Sequence, residues 1–112
     1  MRETQQSMLF ENLNVGDKVW VPGEKRPYRV RCRSERFVIC TKPMNLKRTV
    51  LYFIADLKEQ IRGPDNMVFC SGYETDLDCM ERLIELECGR IEVSRRRSVP
   101  LIWSTKKERA GG

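Results

Sequence analysis

The chain has 112 residues, 40% of them hydrophobic and 33% charged, and a formal net charge of +5. This is the size of one ordinary domain able to bury a single core, and no apolar run approaches the roughly eighteen residues a membrane helix requires. Histidine is absent, which excludes a Ser-His-Asp triad and a Cys-His nucleophile and removes the commonest transition-metal ligand.

Residues 1–12 are polar apart from Met8, Leu9 and Phe10 and are expected to form a loose arm. They lack the apolar stretch of a secretory signal, so a cytoplasmic location is expected. Residues 13–103 are expected to form the single globular body, and 104–112 a basic tail. "NVGDKVWVPGEKRPYRVRCRSERFVICTKP" predicts a three-stranded meander. Val19 and Val21 alternate with Lys18 and Trp20, "PGEKRP" supplies turn residues, and Tyr28, Val30 and Cys32 alternate with Arg29, Arg31 and Arg33. After a tight "SER" turn, Phe37 to Thr41 are apolar on both faces and predict a central strand, covered on both sides or strongly curved. Pro43 and Asn45 break the pattern, and "MNLKRT" reads as a basic loop. "VLYFIAD" predicts a strand from its β-branched and aromatic content. "LKEQ" then turns the chain into a short strand near Ile61, and "GPDN" stops it.

From Thr75 the apolar period changes from two to the helical value. Leu77, Met80, Leu83, Ile84 and Cys88 share one stripe, which is expected to pack on the open side of the sheet, leaving Asp76, Asp78, Glu81, Glu85 and Glu87 outside. Thr75 with Asp78 resembles a capping box, and Gly89 suits the position beyond the helix. "RIEVS" predicts another strand, "RRRS" an exposed basic corner, and "VPLIW" a final extended segment whose Pro100 suits a sheet edge.

Charge is segregated along the chain. Residues 1–50 hold eleven Lys/Arg against five Asp/Glu, residues 51–89 three against nine, and residues 90–112 seven against two. Either the segments neutralise one another in the fold, or they form a two-signed binding surface. Side chains two apart on a strand project from one face about 6.6 Å apart, so Arg29, Arg31 and Arg33 are candidates to engage a polyanion. Arg36 and Lys42 would widen the patch, and Arg95, Arg96 and Arg97, with Lys106, Lys107 and Arg109 beyond them, would form a second. The same residues equally suit a merely soluble strand face that discourages edge pairing. Trp20, Tyr28, Tyr52, Tyr73 and Trp103 are too sparse to stack a run of bases, so nucleic-acid binding is expected to be backbone-directed. The carboxylates Asp76, Asp78, Glu81 and Glu85 are candidates to bind a basic protein surface in the manner of a nucleic-acid backbone, with Glu74, Asp56, Glu59 and Asp65 extending that side. A solvated helix face is the plainer account. Paired carboxylates also suit Mg²⁺, although such sites usually stand at strand ends around a cleft. No phosphate-cradling glycine motif occurs.

"VGDKVWVPGEKRPYRVRCRSERFVICTKP" resembles the opening meander of an SH3-like barrel, and "RFVICTKPMNLKRTVLYFIADL" through "RGPDNMVF" resembles small proteins carried by bacteriophages and prophages, a group that includes anti-CRISPR proteins. The expected fold is therefore α+β, a curved antiparallel sheet of five or six strands, SH3-like and barrel-type, with one amphipathic helix packed on it. The resemblance implies a mobile-element protein, a group that includes structural accessories, regulators and inhibitors of host defence; with the charged faces and the absent histidine, a non-catalytic binding protein that inhibits a host nucleic-acid-binding protein or defence nuclease complex is expected, with no cofactor, no metal and no membrane. The alternatives are a direct nucleic-acid-binding accessory protein and a small Mg²⁺-dependent nuclease.

The cysteines stand at 32, 40, 70, 79 and 88, odd in number and without a C-x-x-C pair, so free thiols are expected. Thiol titration of the unfolded chain should find all of them reduced, and added reductant should leave the melting temperature unchanged.

Overall fold

The computed structural model describes residues 12–21, 23–43, 50–66 and 75–101. The N-terminal arm up to Glu11, the basic loop 44–49, residues 67–74 and the basic tail lie outside these residues. The elements are β1 (Lys18–Val19), β2 (Tyr28–Arg33), β3 (Phe37–Pro43), β4 (Val50–Asp56), β5 (Ile61–Gly63), α1 (Asp76–Glu87) and β6 (Val99–Pro100). The strands form one six-stranded sheet whose spatial order is their chain order, every pair antiparallel. The sheet curls into a half-barrel and carries one helix among the described residues, an α+β arrangement.

Turn chemistry accounts for the order. Gly23 supplies a positive φ of 87° between β1 and β2, where its lack of a Cβ removes the steric penalty. Ser34 closes the β2–β3 turn twice, its amide donating to the Phe37 carbonyl at 2.8 Å and its hydroxyl accepting from the Phe37 amide at 3.1 Å. The Leu57–Gln60 turn is organised by Asp56, whose Oδ1 accepts from the amides of Lys58 and Glu59 at 3.1 and 3.2 Å. Pro100 lies at the sheet edge, where a missing N–H costs no ladder bond.

The sheet is apolar on both faces, so the chain divides its buried residues into two clusters where one core was expected. Val19, Tyr28, Val30, Val38, Cys40, Phe53, Ala55, Leu13 and Leu101 fill one face, with Tyr28 meeting Phe53 edge-on at 4.9 Å. Cys32, Phe37, Ile39 and Ile54 fill the other, beneath Cys79, Leu86, Ile91 and Val93. β3 and β4 supply alternate side chains to both, and Phe37 to Thr41 are all buried. The expected central position of β3 is what the strand order shows.

"RIEVS" does not form a strand. Ile91 and Val93 drop into the second cluster, and the backbone meets the sheet side through an isolated Val93–Asp65 bridge, a reciprocal pair of bonds in which the Asn66 amide donates to the Glu92 carbonyl and the Glu92 amide to Asn66 Oδ1, and a bond from the Ser94 amide to the Pro64 carbonyl. The segment is a strap whose alternate side chains bury under the helix exit. Gly63 lets it close on the sheet, because a Cβ there would stand 3.0 Å from Ser98 Cα and 3.1 Å from the Arg97 carbonyl oxygen.

Asp56 is the most consequential buried charge. It is 3% exposed and receives both Nε and Nη2 of Arg36 at 2.9 Å, while Arg36 also lies over the Phe37 ring at 4.7 Å. Burial pushes the Asp56 carboxyl up, but the Arg36 hydrogen bonds and the Glu59 and Lys58 amides outweigh it and hold the carboxyl below its ordinary value. A depressed folded pKa means that the stabilisation is complete above the unfolded carboxyl's pKa of about 3.9 and is lost as pH falls through the lower folded value. Asp56→Ala should cost about 2–4 kcal/mol by leaving the turn amides and Arg36 unsatisfied, and should flatten the acid limb of stability below about pH 4; denaturant melts across pH 2–7 measure both.

Candidate functional site

The arginines of β2 do not form a one-faced comb. Val30 pairs with Cys40 but Cys32 pairs with Ile39, so the register shifts by one residue at Arg31. Such a bulge sends the residues after it to the opposite face from the one simple alternation assigns. Arg29, opposite Thr41, stays on the helix side, whereas Arg33, opposite Val38, points to the first cluster's side. Their contacts agree. Arg31 donates through Nε and Nη2 to Asp76 Oδ1 at 3.1 and 2.8 Å and through Nη1 to Thr41 Oγ1 at 3.4 Å. Arg33 donates to the Leu13 carbonyl at 2.7 Å, and Arg29 to the Gly16 carbonyl at 3.1 Å. Arg36 is committed to Asp56, and Lys42 pairs with Glu24 while lying over the Tyr28 ring at 4.8 Å.

The second basic group stands elsewhere. Arg95 to Arg97 are exposed, with Arg95 bonded to Glu59 at 3.0 Å and Arg97 to the Asp65 carbonyl at 3.0 Å. This corner closes on β5, whereas the arginines of β2 sit on the second strand of the order, so the two groups are not brought into one footprint by any of these contacts. Tyr28 is buried, its hydroxyl pushed up to about 12 by burial and by Glu24. Tyr73 and Trp103 lie outside the described residues, as do Glu74, Lys106, Lys107 and Arg109.

Helix α1 holds the features that simple chain reading placed least well. Its N-terminus is fixed as expected, since Thr75 Oγ1 accepts from the Asp78 amide at 3.1 Å and Asp78 Oδ2 accepts from the Thr75 amide at 3.2 Å. Such a box contributes about 1 kcal/mol. The packing face is different. Cys79 and Leu86 are the buried residues, with Leu83 half-buried beside them against Cys32, Phe37 and Ile39. Leu77, Met80 and Ile84 are 68%, 55% and 65% exposed, and Cys88 is also exposed.

Residues 77, 80, 84 and 88 follow the i, i+3, i+7 spacing of a single stripe, so α1 carries a second apolar ridge facing away from the sheet. The physical reason for the inversion lies in the small Cys79. It permits close approach to Cys32, while Arg31 draws Asp76, one turn before, down onto β2. The Cys32 thiol is pushed up by its hydrogen bond with Cys79 and by burial, and Cys79 is correspondingly lowered.

The carboxylates flank this ridge on both sides. Asp76 and Glu87 stand on one, Asp76 held by Arg31 and Glu87 accepting from the Ser34 hydroxyl. Asp78, Glu81 and Glu85 stand on the other, where Arg82 bridges to Glu85 at 2.8 Å. Two open concavities lie beside the ridge and share Ile84. One, of about 430 Å³, is lined by Asp78, Glu81, Arg82, Ile84, Glu85 and Arg90. The other, of about 370 Å³, is lined by Ser34, Leu83, Ile84, Glu87 and Cys88. Asp56 and Asp65 do not extend the acidic surface, both being buried. Among the described residues no group of three or more His, Cys, Asp or Glu is arranged to hold a metal ion, and no helix is long and apolar enough to cross a membrane. Comparison with protein-family models, with curated proteins and with solved structures finds no match.

The two sides of α1 should respond oppositely to substitution. Leu86→Ala should destabilise by about 2–4 kcal/mol, the range for a truncated core leucine, whereas Leu77→Ser and Ile84→Ser should each stay within about 0.5 kcal/mol of the parent. Urea denaturation of the three variants decides it.

Proposed function

We propose that this chain is a non-catalytic binding protein that presents α1 to a basic surface on a nucleic-acid-binding protein. The observation that carries the reading is the placement of the helix carboxylates. They stand on a capped helix braced to the sheet by Arg31–Asp76, so their array is held before any partner arrives. Preorganised charge of this kind favours encounter and register with an oppositely charged surface. The curled meander is read as an SH3-like barrel-type scaffold, and the proposed target is a host defence nuclease complex, met in the bacterial cytoplasm.

A second reading rests on the exposed corner Arg95, Arg96 and Arg97. These arginines suit direct contact with a nucleic-acid backbone. Of the β2 set, Arg31 and Arg33 are spent on Asp76 and Leu13, so the corner is the better candidate for that role.

Two variants separate these readings without disturbing the cap or the bulge. Glu81→Lys with Glu85→Lys should reduce capture of a protein partner from bacterial lysate by about tenfold or more, as expected for repulsion at two sites. Arg95→Gln with Arg96→Gln should leave that capture intact, and nuclease treatment should not affect it. Capture that requires intact nucleic acid and falls with the arginine pair would instead establish direct binding, with a reduced slope against log salt.

A further inference from the structure

Resting on the reading of α1 as the protein-binding face, we propose that the ridge Leu77–Met80–Ile84 is the anchor of that face and that it docks an amphipathic helix with cationic flanks on the partner protein. Carboxylates alone would need no apolar ridge between their rows. Here the most exposed large apolar side chains of the described residues are clustered on one element, with Leu77 and Ile84 more exposed than Val15, Val99 or Leu51.

The concavities on either side of Ile84, about 430 and 370 Å³, give an incoming helix somewhere to seat its own side chains. Ridges of one helix lying in grooves beside the ridge of another is the ordinary geometry of helix packing. The twelve residues of α1 extend about 18 Å at 1.5 Å per residue, enough for three turns of a partner.

Charge decides the nature of that helix. Asp76 and Glu87 border the ridge on one side, where Arg31 already meets Asp76, and Asp78, Glu81 and Glu85 border it on the other, where Arg82 and Arg90 share the concavity and Arg82 bridges to Glu85, so that each side keeps an excess of carboxylate. An occupant with Lys or Arg on both flanks of an apolar stripe meets every one of these rows. A second copy of α1 does not, because it would oppose carboxylates with carboxylates. Neither does a nucleic acid, which would place phosphates against the same rows and leave the ridge unused.

The test uses the full chain and synthetic helical peptides of three heptads. One carries Leu at the two seam positions of each heptad and Lys beside them, one keeps the Lys but replaces Leu by Ser, and one keeps the Leu but replaces Lys by Glu. Binding is followed by calorimetry and by methyl NMR. The Leu/Lys peptide should bind and shift the methyl signals of Leu77, Met80 and Ile84, with both control peptides weaker by about tenfold or more. Leu77→Ser with Ile84→Ser should lower affinity for the Leu/Lys peptide by a similar factor at unchanged melting temperature. Glu81→Lys with Glu85→Lys should lower it and flatten its salt dependence.

Equal binding of the Ser/Lys peptide, or full binding by the Leu77/Ile84 variant, overturns the ridge as anchor while leaving the acidic face as the binding surface. Indifference to the Glu81/Glu85 substitutions removes the acidic-face reading itself. A wild-type dimer in sedimentation that the Leu77/Ile84 variant dissociates assigns the ridge to a second copy. A fall of several degrees in the variant's melting temperature assigns it to the chain's own packing. Either of these results overturns the proposed occupant.

Discussion

One extra residue in β2 governs the arrangement of this molecule. Without the register shift at Arg31, Tyr28, Val30 and Cys32 would all project to one face, and the strand would serve a single core. With it, Tyr28 and Val30 enter the cluster that contains Phe53, while Cys32 turns to the cluster beneath α1. A bulge also bends its strand and increases local twist, which suits a sheet that must curl around one cluster and support a helix on its other side. Arg31 itself is released from simple alternation to reach Asp76, so the irregularity that splits the core also docks the helix.

The charge segregation along the chain is used mainly inside the fold. Arg31–Asp76, Arg36–Asp56 and Arg95–Glu59 each join a basic flank to the acidic middle. Their worth differs with burial. Asp56 is enclosed and also holds the β4–β5 turn, so its pair has structural consequence, whereas Arg95–Glu59 lies in solvent-exposed surroundings where ion pairs contribute little. Charges that looked available in pairs along the chain are therefore partly neutralised by one another, and the carboxylates of α1 that remain outward are those on its ridge-bearing side.

That side combines an exposed apolar ridge with rows of carboxylates. An apolar ridge would ordinarily be turned inward, since burying a leucine or isoleucine side chain is worth about 1.5–3 kcal/mol. Here Leu77 and Ile84 remain outside while the smaller Cys79 is enclosed. The helix thus forgoes burial energy on its outer side, and its attachment rests on Cys79, Leu83 and Leu86, on the Arg31–Asp76 bridge and on the hydrogen bond from Ser34 to Glu87.

The sequence by itself determined the elements whose causes are local. The meander of β2, β3 and β4 follows from alternation and breakers, the burial of β3 on both faces from the unbroken run Phe37 to Cys40, the start of α1 from Thr75 and Asp78, and its end from Gly89, which adopts a φ of 83°. What only the tertiary structure decided were the choices between faces. A one-residue bulge leaves no mark in an alternating pattern, so Arg33 read as a neighbour of Arg29 and is not. Of the five apolar residues of the expected stripe on α1 only Leu83 packs inward, beside Cys79 and Leu86, because inward packing depends on how closely Cys79 approaches Cys32 and on where Arg31 holds Asp76. Periodicity reports that a face exists; contacts from distant strands determine which face is covered.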